Sequence, residues 1–489
     1  MKRVEQKDKT NQVQTAINRI KVLFEILLMG GISFFLIGTH EHFYQVEKDY
    51  SFYKAVFISI LLIILIRNIS FKEIRVIVSL SVCVLGIIVF IVFKGIRVDR
   101  YGELYTKSLR LLTVNWGLFV FVLTDVFRKE TILLLKNMLK NPFFYFTLLT
   151  CILISLFGRN YLPFICPIFL LFLTEIRKEK WIELVDCLAL GFFLAFATYF
   201  SVSIIKRPFE YDITGRYIGR FLNNCELGMT CSGAAVSVLY LILRWFRSKH
   251  KIIFQLIILM FMTAFTVFSL WIVRGRTGEA GLLLCLVFSV VFLHGKKPIS
   301  TIKRSGVLIG LTIVGVVVYI LLANYLQTKI VNGDLQYSDL SYSMAHIAGS
   351  AMKDTSYGTF KPNSLLNAID ILSAQRLGTW YELGVQIIPF GQIPEADLAT
   401  HSTYLYWLVR YGAIPGTITI VWFLLYGIFA CIRSVKNDKT SMFTLMWWAY
   451  CAGIFIPANE YWVAPGGFIL LFLMYPLING IESEKVNER

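Results

Sequence analysis

One histidine, His401, stands where a polar stretch gives way to an apolar one, at the start of the segment HSTYLYWLVRYGAIPG. A neutral imidazole at such a junction can accept a proton from a hydroxyl group, which is the task of a general base. The alternative is an interfacial histidine held by a loop carbonyl, and aromatic-rich membrane boundaries that contain histidine are common. His401 is therefore a candidate catalytic residue.

Arginines gather in three short polar segments between apolar runs. They are Arg216 and Arg220 in YDITGRYIGRFLNN, Arg274 and Arg276 in WIVRGRTGE, and Arg376 in SAQRLGTWYELGVQ. A guanidinium group is always charged and binds phosphate oxygens through two parallel hydrogen bonds, so a diphosphate ligand would explain the clustering. The alternatives are ion pairs with Asp212, Glu226 and Glu279, or side chains that extend to lipid headgroups.

Aromatic residues flank these charged groups. Trp380 lies four residues after Arg376, and Tyr404 lies three residues after His401. Their rings could stack on the faces of sugars, although an aromatic belt at a membrane surface would produce the same composition. The nine cysteines form no CxxC pair, and the chain contains no P-loop, GxSxG or HExxH motif. The sequence therefore predicts no metal ion and no cofactor.

The composition defines the surroundings in which these residues act. The chain has 489 residues, of which 56% are hydrophobic and only 16% are charged, whereas a soluble protein carries about 25% charged residues. Apolar stretches recur from one end to the other, which predicts a single transmembrane domain over residues 1–489. The net charge of +17 fits basic cytoplasmic loops and anionic lipid headgroups, so membrane lipid is an expected partner and nucleic acid is not.

Spans of about 20 apolar residues predict an all-α polytopic membrane protein of about 12–14 transmembrane helices. The candidate spans are 22–39, 52–66, 74–93, 108–126, 143–157, 161–174, 183–204, 227–246, 252–273, 280–294, 306–325, 411–432, 441–457 and 462–479. The first of these has no plain cleavage site after it and is expected to remain as a signal anchor.

The distribution of basic residues predicts the orientation. With the N-terminus in the cytoplasm, the inner loops hold more than half of the 48 Lys and Arg. An even number of spans, with both termini cytoplasmic, fits the positive-inside rule best. The long connection 326–402 then lies outside the cytoplasm as a partly helical loop, with helical spacing of apolar residues over 363–373 and 373–386. His401 and the arginine segments fall on the same extracytoplasmic side.

Several motifs, taken in order, resemble the O-antigen ligase and polysaccharide polymerase superfamily. A basic N-terminus and the GRYIG segment from Gly215 to Gly219, followed by Asn223 and Asn224, come first. The RGRTG turn from Arg274 to Gly278 and the Arg376-x-x-x-Trp380 pair follow. His401-x-x-Tyr404-Leu405 and then Gly412-x-x-x-Gly416 complete the series. The motifs extend over residues 205–420, and the rest of the chain is similar only in hydropathy.

The resemblance implies a membrane-embedded glycosyltransferase that works without metal at the outer face of the cytoplasmic membrane. The implied donor is an undecaprenyl-diphosphate-linked oligosaccharide, and the second substrate is a glycan acceptor. Arg276 and either Arg216 or Arg220 are implied to bind the diphosphate, Arg376 to orient a substrate, and His401 to take the acceptor proton. Ser402 stands where the family often has Asn, and no Asn-Pro-Asn follows Arg220, so the choice between Arg216 and Arg220 stays open.

Three functions remain as alternatives. A polymerase would join the repeat units of a surface polysaccharide, with other polysaccharide-assembly proteins as possible partners, and this is the function we favour. A ligase would move the finished glycan to a different acceptor. A transporter or flippase for the lipid-linked oligosaccharide would need charged residues along the middle of several helices, whereas the charges of this chain gather near the loops.

Overall fold

The structure is a computed structural model. It describes residues 142–158, 178–209, 217–219, 224–246, 248, 252–293, 377–391, 402–435 and 439–455, together with individual residues between 20 and 33, between 78 and 85, at 139, and between 310 and 334. Over these ranges most of the backbone is helical, the rest is turns and irregular segments, and no strand is formed. The all-α prediction is confirmed for this part of the chain.

The continuous helices are numbered in chain order over the described ranges. They are α1 (Pro142–Gly158), α2 (Lys178–Lys206), α3 (Asn224–Phe246), α4 (Ile253–Val273), α5 (Arg276–Leu293), α6 (Leu377–Val385), α7 (Thr403–Tyr411), α8 (Ala413–Val435) and α9 (Lys439–Ile454).

Four of these helices contain stretches long and apolar enough to cross a membrane. The stretches are Val185–Lys206 in α2, Leu227–Phe246 in α3, Ile253–Val273 in α4 and Ala413–Ile432 in α8. Hydroxyl groups on these helices donate to the carbonyl one turn earlier, as Thr266 does to Met262 (2.7 Å) and Thr419 to Pro415 (2.8 Å). This satisfies polar groups without water, as a hydrocarbon environment requires.

Helix α3 lies at the centre of the bundle, where it contacts α2, α4, α5 and α9. The membrane-spanning stretch of α3 is 67% buried inside the bundle, whereas that of α4 is only 28% buried. Aromatic side chains fill the core: Phe192 meets Trp447 edge to face at 5.8 Å, and Tyr240 meets Phe443 at 5.0 Å. Such rings supply large buried areas and favour these tilted geometries.

The ends of the long helices form two distinct groups. At one end, Asp186 near the start of α2 meets Arg244 near the end of α3; this is the Asp186 end. At the opposite end, the start of α3 meets the turn between α4 and α5, where Gly228 packs on Gly275; this is the glycine end. The basic segments 244–251 and 433–440 flank helices that terminate at the Asp186 end.

Candidate functional site

The turn between α4 and α5 carries two of the arginines singled out above. Arg274 ends α4 in a left-handed conformation (φ 51°), and its N–H donates to the Leu270 carbonyl. Its side-chain Nε donates to the Trp271 carbonyl (3.1 Å), and its guanidinium carbon lies 6.0 Å from the centre of the Trp271 ring. Arg276 is the first residue of α5. Two arginines are thus separated by a single glycine at a helix junction.

Glycines bring this turn directly against α3. A Cβ atom on Gly228 would lie 2.6 Å from the Cα of Gly275, and one on Gly278 would clash with the Gly228 carbonyl and the Ser232 hydroxyl. Further along, a Cβ on Gly453 of α9 would lie 2.7 Å from the Cα of Gly281. Backbones approach this closely only where side chains are absent. The start of α5 is therefore fixed between α3 and α9.

Tyr217, which stands between Arg216 and Arg220 in the sequence, is attached to the same place. Between these two arginines, the N–H of Tyr217 donates to the Ile272 carbonyl in the last turn of α4 (3.4 Å). The Tyr217 hydroxyl shares a hydrogen bond with Ser203 at the end of α2 (3.1 Å), and its ring is fully buried. Tyr217 therefore lies beside the α4–α5 turn.

The start of α7 is bound to the end of α9 at the glycine end. The N–H of Thr403 donates to the Phe455 carbonyl (2.9 Å), and the Ser402 hydroxyl donates to the same oxygen (3.4 Å). The Tyr404 hydroxyl donates to the Ala452 carbonyl (3.3 Å). Burial raises the pKa of Tyr404 above its ordinary value, so the phenol stays protonated and acts as a donor.

Helix α6 packs against α7 through Leu383, which lies against Val409. The turn after α6 is joined to the start of α8, because the N–H of Ala413 donates to the Ile388 carbonyl (2.8 Å) and the N–H of Ile414 to the Pro389 carbonyl (3.1 Å). Trp380 is half-buried on α6. The long loop therefore contributes at least one helix, within the predicted helical segment 373–386, that docks on the bundle.

The predicted site residues divide into three groups. Arg216, Arg220, Arg376 and His401 lie outside the described residues. Arg276 is described by its backbone. Arg274, Trp380 and Tyr404 are described with their side chains: Arg274 lies against its own helix end, Trp380 is half-buried on α6, and Tyr404 is packed onto α9.

Described residues adjacent in sequence to several predicted ones do meet at the glycine end. Tyr217 is bonded to the last turn of α4, two residues before Arg274. Ser402, which follows His401, is bonded to the end of α9, and α9 packs on α5 through Gly453 and Gly281. Three separate stretches of sequence are thus connected through α4, α5 and α9.

Sequence reasoning missed two features of the bundle. One is the glycine contact, whose signal was the repeat of Gly275, Gly278 and Gly281 at three-residue spacing, which places small residues along one side of a helix. The other is the network at the Asp186 end, where Tyr240 and Arg244 both donate to Asp186. The four-residue spacing of Tyr240 and Arg244 places both on one face of α3, but their shared partner, Asp186, lies on a different helix.

Among the residues that the structure describes, no three His, Cys, Asp or Glu side chains are placed to share a metal ion. No protein-family model, curated protein or solved structure matches this chain. The resemblance to the O-antigen ligase and polysaccharide polymerase superfamily therefore rests on the order of its motifs.

Proposed function

We propose that this protein is a membrane-embedded glycosyltransferase that polymerises the repeat units of a surface polysaccharide. Its donor is an undecaprenyl-diphosphate-linked oligosaccharide, and it acts at the outer face of the cytoplasmic membrane without a metal ion. The observation that carries the proposal is the arginine-bearing turn between α4 and α5, to which Tyr217, between Arg216 and Arg220, is hydrogen-bonded through Ile272.

The proposed orientation follows from charge. The connections after α3 and before α9 hold Arg247, Lys249, Lys251 and Lys436, and both join helices at the Asp186 end. Basic loops of this kind remain in the cytoplasm. The glycine end, with its arginines, then faces outward, and both chain termini lie inside in the proposed topology of 12–14 spans.

The proposed reaction needs one base and several fixed cations. An acceptor hydroxyl oxygen attacks the anomeric carbon of the donor from the side opposite the diphosphate, and His401 takes the hydroxyl proton. The bond between the anomeric carbon and the diphosphate oxygen breaks, and undecaprenyl diphosphate leaves with the electron pair. Arg276, with Arg216 or Arg220, stabilises the departing negative charge, a role that positioned guanidinium groups can fill in a low-dielectric site. Arg376 orients the reacting sugars, and inversion of configuration follows.

Reconstitution tests the reaction class. Full-length protein is placed in vesicles of phosphatidylethanolamine and phosphatidylglycerol, and lipid-linked repeat units from the source organism are added outside in the presence of EDTA. A polymerase lengthens the lipid-linked glycan, which gel electrophoresis and mass spectrometry detect.

Three other results would contradict the proposal in different ways. Transfer of an intact glycan to a supplied non-lipid-linked acceptor, without elongation, would identify a ligase. Movement of unchanged repeat units into the vesicle lumen would identify a flippase. Elongation that EDTA abolishes would contradict the metal-independent mechanism.

A further inference from the structure

The outward side of α6 and its following turn is apolar. Tyr381 is 72% exposed and Val385 is 71% exposed, and being four residues apart they share one face of the helix. Leu383, on the opposite face, is buried against α7. Ile388 and Phe390, in the turn that follows, are also exposed. These four exposed side chains, Tyr381, Val385, Ile388 and Phe390, are named the α6 patch.

Helix α8 sets the depth of the α6 patch in the membrane. The spanning stretch of α8 runs from Ala413 to Ile432, and 20 residues at 1.5 Å each cover about 30 Å, the thickness of the hydrocarbon core. Ala413 therefore lies at one edge of that core. The turn after α6 is hydrogen-bonded to Ala413 and Ile414, which places Ile388 and Pro389 at the same depth.

Two further features mark the membrane boundary at this end. Trp271, 66% exposed in the last turn of α4, has the Arg274 guanidinium over its ring, and indole rings and arginines concentrate where hydrocarbon meets headgroups. Phe157, in the last turn of α1, lies 5.2 Å from the Phe390 ring. Helices α1 and α4 thus end, and α8 begins, at this end of the bundle, as a shared membrane surface requires.

The α6 patch is continuous with the outward face of α8. Ile414, beside Pro389, is exposed, and it is followed along α8 by exposed Val421, Leu424 and Ile428. On a helix that is apolar enough to span a membrane, this face meets lipid chains. The same apolar surface therefore continues from the side of the bundle, around its edge, onto α6.

We propose that α6 and its following turn lie in the membrane interface, with the α6 patch inserted among the acyl chains and headgroups of the leaflet next to the glycine end. The partner is the phospholipid surface itself. The amphipathic arrangement is that of an interfacial helix, with one face toward lipid and the other toward protein. This assignment requires only that α8 spans the membrane, and it holds whether or not the chain transfers sugars.

Photo-crosslinking from single positions tests the assignment. The photoreactive residue p-benzoyl-L-phenylalanine is introduced at position 385 or 388 of the full-length protein in vesicles of phosphatidylethanolamine and phosphatidylglycerol. After irradiation, intact mass spectrometry looks for a covalent phospholipid adduct. Position 261 provides the lipid-facing reference, because Phe261 is 74% exposed in the middle of α4. Position 386 provides the matched control, because Gln386 is the exposed polar residue in the turn that directly follows Val385.

The proposal expects phospholipid adducts from positions 385 and 388, as from position 261, and no such adduct from position 386. Two results would overturn it. One is the absence of lipid adducts at 385 and 388 while position 261 forms them, which would place α6 in water. The other is a crosslinked dimer from 385 or 388, which would show that a second copy of the chain covers the α6 patch.

Discussion

At the Asp186 end of the bundle, Arg244 binds a carboxylate on another helix, and at the glycine end Arg274 contacts a backbone carbonyl and an indole ring of its own helix. Asp186 accepts from both Nε and an Nη of Arg244 at 3.2 Å, and from the Tyr240 hydroxyl at 2.6 Å. Arg274 donates to the Trp271 carbonyl. An arginine thus connects α2 to α3 at one end, and a different arginine bonds the end of its own helix at the other.

Helix packing also differs between the two ends. Side chains join the helices at the Asp186 end, where Tyr240 contacts both Asp186 and Phe443. Backbones meet directly at the glycine end, through Gly228 with Gly275 and Gly281 with Gly453. The glycine end fixes the arginine-bearing turn because the backbone itself is in contact.

The largest expected effect comes from adding a side chain at the glycine end. Gly278→Leu should destabilise the fold by more than about 3 kcal/mol, because its Cβ would clash with the backbone carbonyl of Gly228, which cannot rotate away. Thermal unfolding in detergent, followed by size-exclusion chromatography, measures the loss of folded protein. Gly310→Ala is the control, since nothing lies within 4 Å of a Cβ there. Equal stability of the two variants would contradict the close packing of α3 and α5.

An intermediate effect is expected at the Asp186 end. Asp186→Ala should cost about 1–3 kcal/mol, because the buried Tyr240 hydroxyl loses its acceptor. Tyr240→Phe should recover part of that loss when combined with Asp186→Ala, since the buried Tyr240 hydroxyl that lacks its acceptor is then absent. The shift in Tm of the single and double variants measures the coupling. Strictly additive shifts would show that the two groups do not act as one network.

The smallest effect concerns the left-handed residue at the end of α4. Arg274→Gly should be more stable than Arg274→Ala by about 1 kcal/mol, because only glycine adopts φ 51° without steric cost. Both variants lack the guanidinium group, so the difference in their Tm isolates the backbone contribution. If Arg274→Ala proved the more stable of the two, the left-handed end of α4 would be refuted.

Hydropathy predicted the long helices closely. The span 227–246 matches the apolar stretch Leu227–Phe246, and the span 252–273 matches Ile253–Val273. The prediction was less accurate for α5, which begins at Arg276 rather than near 280. Its first turn, Arg-Thr-Gly-Glu, is too polar for a hydropathy window, although Gly278 packs against α3. Polar residues that are satisfied by a neighbouring helix are not visible to a scale that treats each residue alone.

The predicted span 411–432 matches the apolar stretch Ala413–Ile432, but the separate short helix α7 that precedes it was not predicted. Gly412, with φ 95°, separates α7 from α8, and α7 carries Tyr404 and Trp407 into the core before the long helix begins. Glycine can take this conformation without strain, so a break was possible from sequence. Its position depended on backbone contacts with Phe390 and Pro389, which are more than twenty residues away and leave no local pattern.

The candidate site was predicted from the types and order of its residues, whereas the contacts that hold it in place were not predicted. Arg274 and Arg276 were selected because charges between two apolar runs are costly. Tyr217 was not singled out, although its N–H donates to the Ile272 carbonyl and its hydroxyl shares a hydrogen bond with Ser203. Such long-range hydrogen bonds arise from the fold, so a single sequence cannot reveal them.

A comparison of two histidines tests the central claim most directly. In the sequence, His401 immediately precedes Ser402, which is bonded to the end of α9, and His250 falls in the basic connection between α3 and α4. Elongation of lipid-linked repeat units is measured for His401→Ala and His250→Ala in the reconstituted vesicles, at equal amounts of folded protein. Our account predicts a roughly 100- to 10,000-fold loss of rate for His401→Ala, as expected for removal of a general base, and an unchanged rate for His250→Ala. Full elongation by His401→Ala would contradict the account.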